Sequence, residues 1–128
     1  MKISYNENSM GCILKLHSNI LSFDLLFKLK KILNEFPSDR QIALNLHDVD
    51  FICIEFLEFL KETSSLRRLS LTSLQSETLV LLNLTKYDNF APIFLSDVDF
   101  LQQKRALLNR RFSLLWPKSN IFLPLVSF

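Results

Sequence analysis

Residues 48–60, DVDFICIEFLEFL, run from the end of a buried strand into a helix, and this transition decides the predicted fold. The preceding stretch QIALNL, residues 41–46, is apolar on both faces apart from Asn45, which is typical of a strand covered on both sides. Beyond the turn, apolar residues recur at helical spacing and predict a helix from 54 to about 64, which residues 63–65, TSS, are expected to end. The turn itself presents two large apolar side chains around one carboxylate: Ile54, Glu55 and Phe56.

The segments before this transition predict a hairpin and one helix. KISYN at 2–6 and CILKLH at 12–17 read as strands and together predict a hairpin over 2–17. Ser22 is predicted to cap a helix that FPSD, residues 36–39, brings to an end. The residues that recur at helical spacing, and so form its apolar face opposite the lysines, are predicted to be Phe23, Leu26, Leu29 or Lys30, Leu33 and Phe36.

The segments after the transition continue the alternation of strands and helices. Strands are predicted at 67–72 and 92–95, with a helix between them that begins after residues 73–76. Ser96 is predicted to cap a last helix, from 97 to about 112, in an approximate capping box with the acidic residue three positions later. The apolar residues expected on its buried face are Val98, Leu101, Ala106 and Leu107 or Leu108.

The order of predicted elements is β-β-α-β-α-β-α-β-α. It predicts an α/β fold, with a mixed sheet of about five strands and four helices packed on it. A length of 128 residues with 48% hydrophobic residues fits one ordinary domain with a real core. No apolar run reaches the roughly 18 residues that span a bilayer, and MKISYNENSM lacks the apolar region of an export signal. We therefore expect a cytoplasmic protein with no membrane span.

Charge and glycine content argue against two classes of function. With 15 basic and 13 acidic residues, a net charge of +2 does not indicate a nucleic-acid partner. The densest basic run is interpreted as the solvated face of a helix: Lys104, Arg105, Arg110 and Arg111. Gly11 is the single glycine, so the glycine-rich loops that cradle phosphates are excluded. We expect no cofactor.

The few residues suited to catalysis do not form a recognisable motif. Cys12 and Cys53 lie in apolar, strand-like surroundings and are expected to be buried free thiols. His17 and His47 end two strands that are possible neighbours, without the spacing of a metal site. A small enzyme that uses Cys53, His47 and Asp50 stays open as a competing class. The alternative to a catalytic role is that Asp48 and Asp50 only accept hydrogen bonds from local backbone amides in the turn.

Three successive strings resemble the STAS domain, which is the fold of bacterial anti-sigma factor antagonists and also occurs in transporter tails and lipid-transport complexes. They are GCILKLHSNI at 11–20, QIALNLHDVDFI at 41–52 and LTSLQSETLVLLNLTKYDNFAPIFLSDVDFL at 71–101. The resemblance covers about residues 1–111, a STAS-like domain, and leaves 112–128 as an apolar C-terminal extension. The succession of strings at this spacing implies the STAS architecture.

The resemblance also implies that this chain lacks the phosphorylation switch of the family. The family's DSSG turn, whose first serine is phosphorylated by a partner kinase, falls on residues 53–56, so the serine position is Ile54 and no phosphorylation is expected there. Cys53 and Asn45 replace two aspartates of the family pattern, and Ser18 replaces a glycine. Glu55 suits the first turn of a helix better than it mimics a doubly charged phosphate. These departures remove the switch chemistry and leave the scaffold.

The resemblance therefore implies a non-catalytic, regulatory module that binds a protein partner, in the manner of an anti-sigma antagonist. The partner would be an anti-sigma factor or kinase-like protein, or alternatively the ATPase of an ABC-type lipid-transport complex. Docking would be constitutive, through the turn and the strand end beside it. The expected partner-binding residues are Ser18, Asn19, Asp48, Asp50, Cys53, Ile54, Glu55 and Phe56.

The 112–128 extension is too apolar to be left in water. It contains Trp116, Phe122 and Phe128 among leucines, valine and isoleucine, and its two prolines prevent a continuous helix. We expect it to fold back over the domain. The alternatives are a strand supplied to a second copy, which would make a homodimer, or docking on a partner or a membrane surface.

Overall fold

The computed structural model of the protein describes residues 2–87 and 90–102, with the backbone alone at Lys2. Seven strands and four helices lie in these residues. The strands are β1 (Lys2–Asn8), β2 (Gly11–His17), β3 (Ile20–Leu21), β4 (Ile42–Asn45), β5 (Phe51–Ile52), β6 (Leu69–Thr72) and β7 (Ile93–Phe94). The helices are α1 (Phe23–Asn34), α2 (Ile54–Leu66), α3 (Ser76–Thr85) and α4 (Asp97–Leu101).

The main sheet has five strands in the order β1-β2-β4-β6-β7, which confirms the predicted mixed sheet with four helices. β1 and β2 are antiparallel, and the Asn8 side chain closes their turn by accepting the amides of Met10 at 2.7 Å and Gly11 at 3.1 Å. The remaining pairs are parallel. Parallel neighbours need a crossover connection, and α1, α2 and α3 supply the three that this order requires.

The main core lies between one face of this sheet and the helices. Alternate strand residues such as Leu14, Leu44 and Leu71 point into it, as the two-residue repeat of a strand requires. Phe56 and Phe59 of α2 are buried there with ring centroids 6.0 Å apart. Helix α1 contributes four leucines: Leu25, Leu26, Leu29 and Leu33.

Two details of the helices differ from the sequence prediction. Phe23 was expected in the core but is exposed, because Ser22 caps α1 and the buried leucines define a face centred away from the first helical residue. The TSS at 63–65 does not end α2, which continues to Leu66. The hydroxyls of Ser64 and Ser65 donate back to carbonyls three residues earlier, so they are satisfied inside the helix.

Helix α4 covers part of the opposite face of the sheet. Its predicted cap is confirmed, since Ser96 Oγ accepts the amide of Asp99 at 3.3 Å. Phe100 is buried against Phe94 with ring centroids 5.7 Å apart, whereas Val98, predicted to be buried, is exposed. The part of the predicted last helix beyond Gln102, the boundary at 111 and the 112–128 extension lie outside the described residues. Within the described residues, no helix is both long and apolar enough to cross a membrane.

A second, two-stranded sheet was not predicted. Its strands β3 and β5 are parallel, with Ile20 opposite Phe51 and Leu21 opposite Ile52. Each strand directly precedes a helix, α1 or α2. This small sheet therefore fixes the starts of the two helices beside one another.

Gly11, the single glycine, allows α4 to pack closely on the sheet. A Cβ atom at this position would lie 2.9 Å from Cε2 of the Phe100 ring and 3.2 Å from the Gln41 carbonyl oxygen. Both distances are shorter than ordinary packing contacts, and the ring is held in a buried cluster. The left-handed backbone positions, by contrast, are occupied by Ser73 and Lys86, with φ of 59° and 64°.

We expect Gly11→Ala to lower the free energy of unfolding by about 1–3 kcal/mol, because the added methyl overpacks the contact with Phe100. Urea unfolding measures the effect. Met10→Ala, in the exposed turn beside it, is the control and should change stability by less than about 0.5 kcal/mol. A Gly11→Ala protein that is as stable as the wild type, or more stable, would show that the contact is not tight.

Candidate functional site

The predicted turn leaves the sheet at the edge where β4 and β6 end. The amide of Leu46 donates to the Thr72 carbonyl at 3.1 Å, and the amide of Val49 donates to the Leu46 carbonyl at 3.1 Å. Leu46 and Val49 are fully buried and anchor the loop between β4 and β5. His47 and Asp50, between and after these anchors, are exposed. The loop thus alternates buried apolar anchors with outward polar side chains.

The strand end at Ser18 and Asn19 lies beside this turn. The Asn19 carbonyl accepts the amides of Asp50 at 2.8 Å and Phe51 at 3.0 Å. Ser18 is engaged locally, since its hydroxyl donates to the Ile20 carbonyl at 2.7 Å. The structure thus brings together the two segments that the sequence assigned to one surface.

The two large apolar residues of the turn have opposite roles. Ile54, the first residue of α2, is 74% exposed, whereas Phe56 is completely buried. Positions two apart on a helix differ by about 200°, so one faces the solvent when the other faces the core. Phe56, predicted among the partner-binding residues, therefore lies in the core with Phe59. Glu55 is exposed in the first helical turn, where a carboxylate stabilises the helix dipole.

Two further exposed apolar residues lie on the small sheet, whose strand β5 ends two residues before Ile54. Ile20 and Phe51 are paired side by side across its two strands and are 50% and 65% exposed. We call Ile20, Phe51 and Ile54 the apolar patch. The two strand residues were missed because strands of two residues carry no periodic pattern; only the pairing of β3 with β5 places them side by side.

The candidate enzyme residues are arranged differently from the sequence hypothesis. Cys53 is the N-cap residue of α2 and is partly buried rather than fully buried. Among the described residues, no hydrogen bond joins its thiol to His47 or Asp50. Cys12 is buried as predicted; its burial, together with the nearby charge of Glu7, raises the pKa of its thiol. A raised pKa disfavours the reactive thiolate.

The carboxylate of Asp48 lies close to both histidines, His17 and His47. Its carboxylate is 3.1 Å from Nδ1 of His47 and 3.6 Å from Nδ1 of His17. The hydrogen bond from His47 is the main reason that the pKa of Asp48 is lowered, and Lys15 acts in the same direction. His17 also bonds to the hydroxyl of Ser4 through Nε2, at 2.7 Å. Of the histidine, cysteine and acidic side chains in the described ranges, no three are placed to hold a metal ion.

A buried polar network supports the edge from which the turn departs. Asp97, the first residue of α4, accepts hydrogen bonds from Asn45 Nδ2 at 2.9 Å and from the Thr72 hydroxyl at 2.5 Å. The Asn45 side-chain oxygen in turn accepts the amide of His47 at 2.9 Å. An asparagine at position 45 can donate to this carboxylate, whereas the aspartate of the family pattern cannot.

Comparison with known proteins identifies the fold. A scan against models of known protein families gives no match, and neither does a search of curated proteins. Among solved structures, the chain is similar to a protein from Planctomyces limnophilus described as an anti-sigma-factor antagonist (STAS) domain protein. The two share 15% sequence identity with a TM-score of 0.67, over 79% of this chain and 95% of the other. The chain therefore has the fold of a STAS domain, as the sequence strings implied.

We expect Asn45→Asp to destabilise the protein by roughly 2–3 kcal/mol at neutral pH, because it removes a buried donor and sets two carboxylates against each other. The double mutant Asn45→Asp/Asp97→Asn restores a donor and should recover most of the loss. Chemical unfolding at neutral pH measures both effects; equal losses in the single and double mutants would contradict the network.

We expect NMR titration to place the pKa of the Asp48 carboxyl below the ordinary aspartate value, and His47→Ala to raise it. A lowered folded-state pKa stabilises the protein above the unfolded-state pKa, and this contribution is lost as the pH falls through the folded-state value. His17→Ala is the matched control and should shift the pKa less, because its contact with Asp48 is longer. An Asp48 titration that is unchanged by His47→Ala would be inconsistent with this assignment.

Proposed function

We propose that the chain is a non-catalytic protein-interaction module of the STAS type, an anti-sigma antagonist-like regulator that binds its partner constitutively. The observation that carries the proposal is Ile54, exposed at the position where the resemblance places a phosphorylatable serine. The proposed contact surface combines the apolar patch with the polar residues around it. Its members are Ser18, Asn19, Ile20, Asp48, Asp50, Phe51, Cys53, Ile54 and Glu55.

The apolar patch is the energetic centre of this surface. Single exposed apolar side chains are common on soluble proteins, but here three lie on the paired strands β3 and β5 and at the start of α2, which follows β5. Complete burial of a side chain of this size contributes about 1.5–3 kcal/mol. Apolar anchors surrounded by a polar rim are typical of the residues that dominate binding energy in protein interfaces.

The local sequence supports constitutive docking. No serine, threonine or tyrosine occurs between Asp39 and Glu62, so the turn and the first part of α2 contain no acceptor for a phosphate. In a serine-switched turn, phosphate adds nearly two negative charges and disrupts an apolar interface. Here the same position contributes apolar area and no charge.

The kind of partner is proposed from the description of the structural relative and from the sequence resemblance. Because that protein is described as an anti-sigma-factor antagonist domain protein, we propose an anti-sigma factor or kinase-like protein as the partner, acting in the cytoplasm. The ATPase of a lipid-transport complex, implied by the sequence resemblance, would bind the same surface. The identity of the captured protein separates the two.

We expect a tagged full-length chain to retain one of these two classes of protein from extracts of its source organism, and Ile54→Asp to lose it. With purified components, the substitution should weaken binding at least tenfold, since about 1.4 kcal/mol corresponds to that factor. Phe51→Asp should act in the same direction. Phe56 is unsuitable for this test because it is buried, so its substitution would unfold the protein.

Leu66→Asp is the matched control for this experiment. Leu66 lies on the same helix as Ile54 and is equally exposed, at 77%, but at the far end from the turn. The control should bind like the wild type. If Ile54→Asp and Leu66→Asp bind equally well, the turn is not the contact surface; if the captured protein belongs to neither class, the proposed partner is wrong.

A further inference from the structure

A groove of about 550 Å³ lies between β5 and the first turns of α3. Phe51 and Ile52 line it from the strand, and Leu81 lines it from the helix. Asp50 and Glu77, both exposed, provide carboxylates on its two sides. The groove therefore combines an apolar lining with negative charge, and it shares Asp50 and Phe51 with the proposed contact surface.

One buried polar group that lines the groove has no hydrogen-bond partner among the described residues. Thr78 lines it and is buried, and its hydroxyl has no hydrogen-bond partner within the described part of the chain. The side chain of Gln75 does not cap α3, because its amide donates to the His47 carbonyl at 2.9 Å. A buried hydroxyl without a partner costs roughly 1–3 kcal/mol.

The charges of the chain are separated along its sequence. All 13 acidic residues precede residue 103, together with 10 of the 15 basic residues, so residues 1–102 have a net charge of −3. The remaining five basic residues lie in 103–128, which has no acidic residue. The two segments that form the groove, 41–60 and 69–85, contain no lysine or arginine. The groove thus lacks positive charge, and the end of the chain has it in excess.

We propose that the C-terminal segment, residues 110–128 with the sequence RRFSLLWPKSNIFLPLVSF, occupies this groove within the same molecule. Its basic residues Arg110, Arg111 and Lys118 complement Asp50 and Glu77. Its apolar residues, Trp116 foremost, pack on the apolar lining of the groove.

The stretch of chain after Gln102 is long enough for Trp116 to reach the groove. The 14 residues from Gln102 to Trp116 span up to about 45 Å when extended, whereas a domain of this size has a radius of gyration of about 13 Å.

Occupation of the groove would cover Asp50 and Phe51, which also belong to the proposed contact surface. The inference goes beyond the proposed function and does not require it, because the segment can occupy the groove whether or not a partner binds the turn.

Trp116 is the single tryptophan of the chain, so its fluorescence reports on this segment alone. In the full-length protein we expect a blue-shifted emission and quenching by acrylamide several-fold weaker than in denaturant. Leu81→Asp and Glu77→Lys, in the groove, should both move the emission to the red and increase quenching. Leu84→Asp is the control, since Leu84 is exposed on the same helix but does not line the groove. Glu77 is a surface residue, so Glu77→Lys keeps the test valid if Leu81→Asp fails to fold.

Three results would overturn the proposal. A solvent-exposed Trp116 in the wild type would show that the segment is undocked. A shielded Trp116 that neither groove variant affects would place the segment elsewhere. Shielding that increases with protein concentration would place it on a second copy. None of these three fluorescence results changes the outcome expected for the capture experiment with Ile54→Asp. Failure of this proposal can therefore be distinguished from failure of the proposed function.

Discussion

The carboxylate of Asp97 connects the parts of the fold on which the candidate site depends. It accepts a hydrogen bond from each of two neighbouring strands, through Asn45 at the end of β4 and Thr72 at the end of β6. Asp97 is also the first residue of α4. Its carboxylate therefore connects this helix, on one face of the sheet, to the ends of β4 and β6, from which the chain continues to helices on the other face. Because Asn45 in turn accepts the His47 amide, the network extends into the turn itself. Without this carboxylate, buried polar groups at the sheet edge would lose their partners.

The turn that departs from this edge is fixed mainly through its backbone. Its amides bond to carbonyls of Asn19, Leu46 and Thr72, and its buried contacts come from Leu46 and Val49. The side chains of Asp50, Phe51 and Ile54 are therefore free to face outward without weakening the fold. A surface built in this way tolerates changes in the chemistry of its side chains.

The features that could be predicted from sequence were those encoded locally. Ser22 and Ser96 cap helices through contacts within three residues, and the apolar run at 41–46 identifies a central strand. The bond between Asn45 and Asp97 joins residues 52 apart, and no local pattern encodes it. The same holds for the pairing of β3 with β5, which creates the apolar patch. Ile54 was identified because a family pattern marks its position, whereas Ile20 and Phe51 have no such mark.

Helix α3 combines features that weaken the ends of a helix. It has no side-chain cap at its N-terminus, and the left-handed residues Ser73 and Lys86 flank it. A left-handed conformation costs a residue with a Cβ roughly 1–2 kcal/mol relative to the right-handed one. Among the described helices, α3 alone has this combination, so its ends should open at lower free energy than those of the serine-capped α1. We therefore expect the wall of the groove that α3 forms to be less rigid than the sheet behind it.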